Sequence, residues 1–487
     1  MATVLEYGEE QGRPLKKSVA WNGASLIGRQ IFLLGFSVVL ARLLGPEAYG
    51  LVAQANVYIA FAILILDQGL TAALVSSSRV TIDTVRAAAG LNIVLSLLLF
   101  AVTFAVAPAT AAFFNSPELE LVLKVLGGGL VLKGLAIVPR MLLMRSFAFK
   151  PIAIADVLGA LLGGLAGLAA AVGGLGYWSI VIQVIANDFV VAIMLMGAAR
   201  FFRPSMRFSH LKQILGFGSR VFLGNVVSVT SRNVDNLLVG KFYGAADLAL
   251  YSLAYRVLLT PVQMVGQMVS RVLFPAIASH KANLPEVSRL TLRSMSAISL
   301  ITFPLMTFVA ISGEDAVLVF LGSSWLGAVP VLQILALTGA RQSVTSIIAP
   351  LLLGMGKSQT HLRFNLIAAA VQIGGIVAGL SWGMVGVAWG YTIAGLVLTP
   401  YIGYLHKATA RTSYKSMLGS LVPAISLSAW VAAPYAMLMI VPLPPFARLV
   451  CGGLLGCVVM VVVLRFLHRK AWEQVHADAH FFFRKRK

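Results

Sequence analysis

Apolar runs long enough to cross about 30 Å of hydrocarbon recur along this chain, each closed by a short polar or glycine-rich break. They fall at 18–40, 49–75, 85–107, 119–144, 151–172 and 176–198. After a basic stretch they resume at 212–240, 248–276, 291–311, 327–352, 360–380, 384–405, 416–440 and 446–466. The pattern predicts an all-α polytopic membrane protein of about 14 transmembrane helices. The longest interior break, 200–212, separates two groups of six, and no break can house a soluble catalytic domain.

Composition agrees with that pattern. Of 487 residues, 59% are hydrophobic and 11% charged, and the mean hydropathy is +0.89. A soluble domain of this size could not hide so much apolar surface. A net charge of +21 would suggest nucleic acid in a soluble chain, but here the bases cluster between apolar runs, where they hold loops on the cytoplasmic side. With the N-terminus inside, only Arg42, Lys241 and Arg448 of the 38 Lys and Arg fall on outer loops. Seven lie within spans (Arg29, Lys124, Lys133, Arg220, Arg232, Arg256 and Arg341), and the rest fall inside. One miscounted helix would reverse every later loop and mix the two sets. Outer loops are instead acidic at 115–120 and at Glu314 and Asp315. Residues 1–17 contain Glu6, Glu9 and Glu10, unlike a secretory leader. Cys451 and Cys457 share one apolar run on different helix faces and are expected to form neither a disulfide nor a metal site.

The expected organisation is a cytoplasmic N-terminal tail (1–17), an N-lobe of helices 1–6 (18–199) and a basic cytoplasmic linker (200–211). A C-lobe of helices 7–12 (212–406), helices 13–14 (407–466) and a basic cytoplasmic tail (467–487) follow. An internal repeat supports the two lobes. At an offset of 199, Arg42 matches Lys241, Gly45 matches Gly244, Leu51 matches Leu250 and Ala55 matches Ala254. Chance similarity between two turns is the alternative; their equivalent topological positions argue against it. A repeat of six spans gives both copies one orientation, the architecture of an alternating-access carrier. Helices 13 and 14, free of charge from 416 to 447, fall outside the repeat and are expected to face lipid. The terminal FFFRKRK suits an anionic inner leaflet, or acts as a simple stop-transfer cluster.

Charges inside the spans carry the candidate chemistry, because each costs about 2.5–3.5 kcal/mol at mid-membrane depth on insertion scales. In the seventh span Arg220, Gly224, Ser228, Ser231 and Asp235 share one helix face, with Arg232 just beyond. In the first span Ser18, Asn22, Ser25 and Arg29 form a similar stripe. Arg256 in the eighth span and Arg341 in the tenth, followed by Gln342 and Ser343, complete the set. We read Arg29, Arg220, Arg232, Arg256 and Arg341 as substrate-binding cations, and Asn22, Ser25, Ser228 and Ser231 as polar cavity lining. Arginine stays protonated and offers a planar fork to phosphate oxygens. The structural alternative for each is snorkelling or neutralisation by a nearby acid. Asp67, Asp188 and Asp235 either bind a coupling cation or balance the arginines. Asp156, near the inner surface, is expected to be solvated, and Lys124 to snorkel outward. All seven histidines fall in cytoplasmic segments or the tail, so no buried histidine relay is expected.

Three stretches carry a resemblance: VLARLLGPEAYGLVAQANVY from Val39, LDQGLTAALV from Leu66 to Val75, and NVDNLLVGKFYGAADLALYSLAYR from Asn233 to Arg256. They resemble the polysaccharide transporter (Wzx-type) flippases of the multidrug/oligosaccharidyl-lipid/polysaccharide exporter superfamily, over nearly the whole chain in span number and spacing. The resemblance implies a bacterial inner-membrane carrier with two six-helix lobes and two further helices, both termini cytoplasmic. It would move an undecaprenyl-pyrophosphate-linked oligosaccharide from the cytoplasmic to the periplasmic leaflet. It also implies an ion gradient or membrane potential as driving force, with proton or sodium as coupling cation. Anionic membrane lipids and the polysaccharide polymerase and chain-length machinery are the remaining expected partners. Asp67 falls in the family's D-x-G-L-type motif and Asp235 in its D-x-x-x-x-G-type motif; coupling and helix packing both remain open for these acids. The reading requires no cofactor, no metal and no covalent chemistry. Alternatives are a lipid II flippase of peptidoglycan synthesis, a cation-coupled multidrug antiporter, and a membrane-embedded polymerase or glycosyltransferase. An antiporter for cationic cargo should have an acidic cavity, and the spans here hold more bases than acids. Membrane polymerases and glycosyltransferases generally need longer outer loops.

Overall fold

The computed structural model describes residues 4–5, 15–67, 80–146, 148–199, 204–207, 212–469 and 473. Within these, the side chains at 4–5, 15–27, 80, 212–221, 223–225, 227, 228, 231, 232 and 257 are outside the description. Helices dominate: α1 (Leu15–Asp67), α2 (Ile82–Phe114), α3 (Leu119–Arg145), α4 (Phe149–Val172), α5 (Trp178–Ala198), α6 (Lys212–Ser279) and α7 (Leu284–Phe320). They continue as α8 (Ala328–Thr345), the short α9 (Ile348–Gly354), α10 (Ser358–Gly379), α11 (Gly383–Ala410), α12 (Tyr414–Ile440) and α13 (Pro445–Phe466). A two-residue antiparallel ladder, β1 (Val4–Leu5) with β2 (Val80–Thr81), pairs Val4 with Thr81 and Leu5 with Val80. Eleven helical segments among the described residues are long and apolar enough to span a bilayer, which makes this a multi-pass membrane protein.

Three of those segments run to 40 residues or more: 28–67, 233–279 and 358–410. Each contains a glycine with positive φ. Gly45 (φ 74°, ψ 176°) interrupts α1, Gly244 (φ 86°, ψ −171°) interrupts α6, and Gly383 (φ 74°) opens α11. A side chain is excluded from that backbone region, so the sequence marks where the helices bend. Other ends are capped by side chains: Thr81 accepts from the Thr84 N–H at 3.2 Å, Asn283 from Glu286 at 3.2 Å, and Ser413 from Ser416 at 3.1 Å.

The chain divides into two compact units, residues 1–249 and 250–487. In the first, α4 packs along α5 and α1, and α3 packs on α2 and α5. Its core joins Ala136 and Leu143 of α3, Ile152 and Ala155 of α4, and Ala192 and Leu195 of α5. The two glycine bends meet in this unit. Gly50 lies so close to the segment after Gly244 that a Cβ would stand 1.8 Å from the Ala245 carbonyl oxygen. Gln54 Nε2 donates to the Gly240 carbonyl at 3.4 Å, and Lys241 Nζ to that of Phe113 at 2.5 Å.

In the second unit, α7 is central: it packs against α8, α12 and α13, and α11 packs against α8 and α10. One core joins Ile277, Met295, Ile298, Leu351, Leu398 and Ile402; a second joins Leu300 of α7 to Ala424 and Leu427 of α12 and Val463 and Leu464 of α13. Helices α12 and α13 therefore bury one face against α7, while Leu418, Val422, Ile440, Phe446 and Leu454 point outward.

Two expectations about polar residues are corrected. Asp315 is no loop residue: α7 runs on to Phe320, and the residue is 4% exposed. It accepts from Arg448 at 2.8 Å and from the Tyr435 hydroxyl at 2.5 Å, tying α7 to α13 and α12. Similarly, α11 extends to Ala410, past the expected end at 405, which carries His406 into the core. It is fully buried, and neither ring nitrogen has a hydrogen-bond partner among the described residues. In both cases the apolar run ends before the helix does, because continued backbone hydrogen bonding and tertiary packing sustain turns that hydropathy does not register.

Candidate functional site

The expected site residues divide by charge pairing. In the first unit, Lys133 of α3 lies 2.6 Å from Asp188 of α5, a carboxylate that also accepts from the Asn187 amide at 3.2 Å. Asp188 is thus already neutralised within the unit, which favours charge balance over coupling-ion binding at this acid. Arg140 makes a bidentate pair with Asp156 at 3.0 and 2.6 Å, so Asp156 is paired and not simply solvated. Lys124 pairs with Glu120 at 2.5 Å and sits 4.6 Å from the centre of the Phe104 ring. Asp235 is buried on α6 and its Oδ1 accepts from the Asn236 N–H at 2.8 Å. Asp67 is half-buried at the end of α1.

Three of the five arginines stand apart. Arg29 is half-buried on α1, Arg256 exposed on α6 and Arg341 half-buried on α8. Among the described residues, none has a carboxylate within 4.0 Å. The side chains of Arg220, Arg232, Asn22, Ser25, Ser228 and Ser231 lie outside the described residues, on the helical backbones of α6 and α1.

Around Arg341 the second unit builds a polar seam between α8 and α11. Gln342 Nε2 donates to the Tyr391 hydroxyl at 2.7 Å, Thr338 shares a 2.6 Å hydrogen bond with Thr392, and Ser343 shares one of 2.7 Å with Thr302 of α7. The guanidinium lies against Gly395 of α11, and its Nε is buried with no hydrogen-bond partner among the described residues. Tyr391 also meets Tyr255 of α6, ring centres 6.3 Å apart, and Tyr255 stacks on Tyr251 at 6.3 Å. Arg256 follows Tyr255 directly. The aromatic contact joins α6, which carries Arg256, to α11, which in turn is hydrogen-bonded through Tyr391 to α8, the helix of Arg341. An uncompensated cation in a low-dielectric setting attracts anions strongly, and hydroxyls and amides beside it suit phosphate or sugar oxygens.

Sequence reasoning found Arg341, Gln342 and Ser343 but missed Thr338, Tyr391, Thr392 and Gly395. The signal was present as two adjacent hydroxyl residues, Tyr391 and Thr392, inside an otherwise apolar run. Only packing reveals that they face Arg341's helix.

A family model described as "Polysaccharide biosynthesis protein" matches residues 39–330. The chain is 27% identical over 424 residues to the succinoglycan biosynthesis transport protein ExoT of Rhizobium meliloti (strain 1021), covering 85% of this chain and 84% of that protein. It is 25% identical over 406 residues to the lipopolysaccharide biosynthesis protein WzxC of Escherichia coli (strain K12), covering 81% and 79%. In fold it is similar to the lipid II flippase MurJ in an inward closed conformation, with a TM-score of 0.74, 17% identity, and 93% and 99% of the two chains covered. The matched region contains all three resembling stretches and α2 to α7 in full, and on that match the chain belongs to the polysaccharide biosynthesis protein family.

Proposed function

We propose that this protein is a flippase, not an enzyme. It moves an undecaprenyl-pyrophosphate-linked oligosaccharide from the cytoplasmic to the periplasmic leaflet of a bacterial inner membrane. One observation carries the reading: among the described residues, Arg29, Arg256 and Arg341, in apolar helices, lack the acid partners that Lys124, Lys133 and Arg140 have. A pyrophosphate neutralises such groups while bound, and a polar path spares the sugars a passage through hydrocarbon, where each unsatisfied polar group costs several kcal/mol. Family membership and the transport role named for the ExoT relative support the same reading.

Within it, Arg220 and Arg232 add to the cationic surface, and Asn22, Ser25, Ser228 and Ser231 line the path. Dividing α1 at Gly45, α6 (from Lys212) at Gly244 and the segment 358–410 near Gly383 supports the fourteen crossings that charge parity favours. Gly45 and Gly244 take the same unusual backbone conformation at matched repeat positions, which supports two like lobes at 18–199 and 212–406. Alternating access, cytoplasmic termini and a coupling cation belong to this proposal. The MurJ likeness speaks for the fold, while the two polysaccharide-biosynthesis relatives favour a polysaccharide repeat unit over lipid II.

The test is polysaccharide export in cells carrying Arg29→Ala or Arg341→Ala, with membrane levels checked by immunoblot. Each is expected to abolish export while the protein stays in the membrane and lipid-linked precursor accumulates. Wild-type export by both variants would overturn the reading.

A further inference from the structure

Gly395 of α11 leaves an open slot opposite α8, and the Arg341 guanidinium fills it. A Cβ at Gly395 would stand 2.4 Å from one terminal nitrogen, 2.5 Å from Cζ and 2.6 Å from Nε. All three distances are far below the contact optimum of about 3.5–4.0 Å. Their near equality means that the flat face of the guanidinium rests on the α11 backbone. With Nε lacking a hydrogen bond to any described residue, the shape of this slot is what determines the orientation of that part of the group. One turn away, the Gln342–Tyr391 hydrogen bond of 2.7 Å ties α8 to α11 at the same level.

Substitution here differs from substitution at Gly386 and Gly390 of α11. At Gly390 a new Cβ would meet the Gly375 carbonyl oxygen at 2.0 Å, and backbone would have to move. At Gly395 the three nearest atoms all belong to the flexible side chain of Arg341. An added methyl therefore relocates the charge and leaves the helices in place.

We propose that Gly395 is a positioning residue that fixes where the Arg341 charge is presented to a pyrophosphate-bearing lipid. This rests on the reading of Arg341 as a ligand-contacting group. The experiment is a double-mutant cycle on the purified full-length protein in detergent, titrated with undecaprenyl pyrophosphate. Gly395→Ala is expected to weaken binding about tenfold, roughly what one lost charge-assisted hydrogen bond produces, with a thermal midpoint close to wild type. Arg341→Ala should weaken it at least as much, and adding Gly395→Ala to Arg341→Ala should change nothing further.

Wild-type affinity in Gly395→Ala beside weak binding in Arg341→Ala would overturn the role of Gly395 alone. Losses that add in full would do the same, because glycine would then act by a route other than the guanidinium. Wild-type affinity in Arg341→Ala would overturn the ligand-contacting role of Arg341 and this proposal with it. If Gly395→Ala fails to accumulate, the double variant must accumulate, since the clash leaves with the arginine; a double that also fails overturns the proposal.

Discussion

Asp315 shows how one residue can change role when packing is known. Its carboxylate is buried between the Tyr435 hydroxyl and the Arg448 guanidinium, and Tyr435 is itself fully buried. Removing Arg448 leaves a buried, unbalanced carboxylate, so Arg448→Ala should destabilise by about 3–5 kcal/mol. Tyr435→Phe, which deletes only one donor, should cost about 1–3 kcal/mol. Thermal unfolding in detergent, read by fluorescence, checks the order of the two losses; equal midpoints in both variants would refute the account. From sequence, Asp315 and Arg448 were read as two separate loop charges. Nothing in a linear pattern joins residues so far apart, and a hydropathy boundary at 311 placed Asp315 in water. The pairing of Asp188 with Lys133 was hidden for the same reason, although both residues were visible as intramembrane charges.

Among the elements, the α10–α11 hairpin depends most directly on small residues. Gly375 and Gly379 face Gly390 and Gly386, and a Cβ at Gly390 or Gly379 would stand 2.0 or 2.2 Å from the opposing carbonyl oxygen. Such approach brings backbones close enough for dispersion and Cα–H contacts where the hydrophobic effect gives no drive between helices. Gly390→Leu should force the helices apart and cost about 1–3 kcal/mol or more, seen as a lowered midpoint and reduced membrane level. Gly374→Ala is the control: no atom lies within 4 Å of its added carbon, and its stability should match wild type. The glycines are visible in the sequence, but not the fact that these four face each other within one hairpin. Periodicity identifies a small-residue face; it does not name the partner.

At the scale of the whole molecule, helix parity and the two glycine bends make the firmest expectations. From the loop charges, residues 115, 117, 118, 323 and 324 are expected outside and 282 inside, all at exposed positions. In a variant without Cys451 and Cys457, an impermeant thiol reagent applied to intact spheroplasts should label Asn115→Cys and Ser323→Cys but not Ala282→Cys. Labelling of all three, or the reverse pattern, would break the topology. Gly244→Ala forces a side chain into a backbone region essentially reserved for glycine, at a cost of about 1–3 kcal/mol. Lower thermal stability is expected there, and at Gly45 by the same argument.

By itself the sequence determined that this is a helical membrane protein, roughly where its helices run, that Gly45 and Gly244 hold matched positions in a repeat, and that unusual arginines sit among apolar residues. These are local or periodic properties: hydropathy over a span, the φ range open to glycine, and the cost of a charge in hydrocarbon act residue by residue along the chain. Tertiary structure alone decided which charges pair with one another among the described residues, and that Arg341 rests on Gly395 while Asp315 joins three helices. Those outcomes depend on distances between residues tens to hundreds of positions apart. Only the packed fold sets such distances, because side-chain charge and shape act over a few ångströms of space and not along the chain.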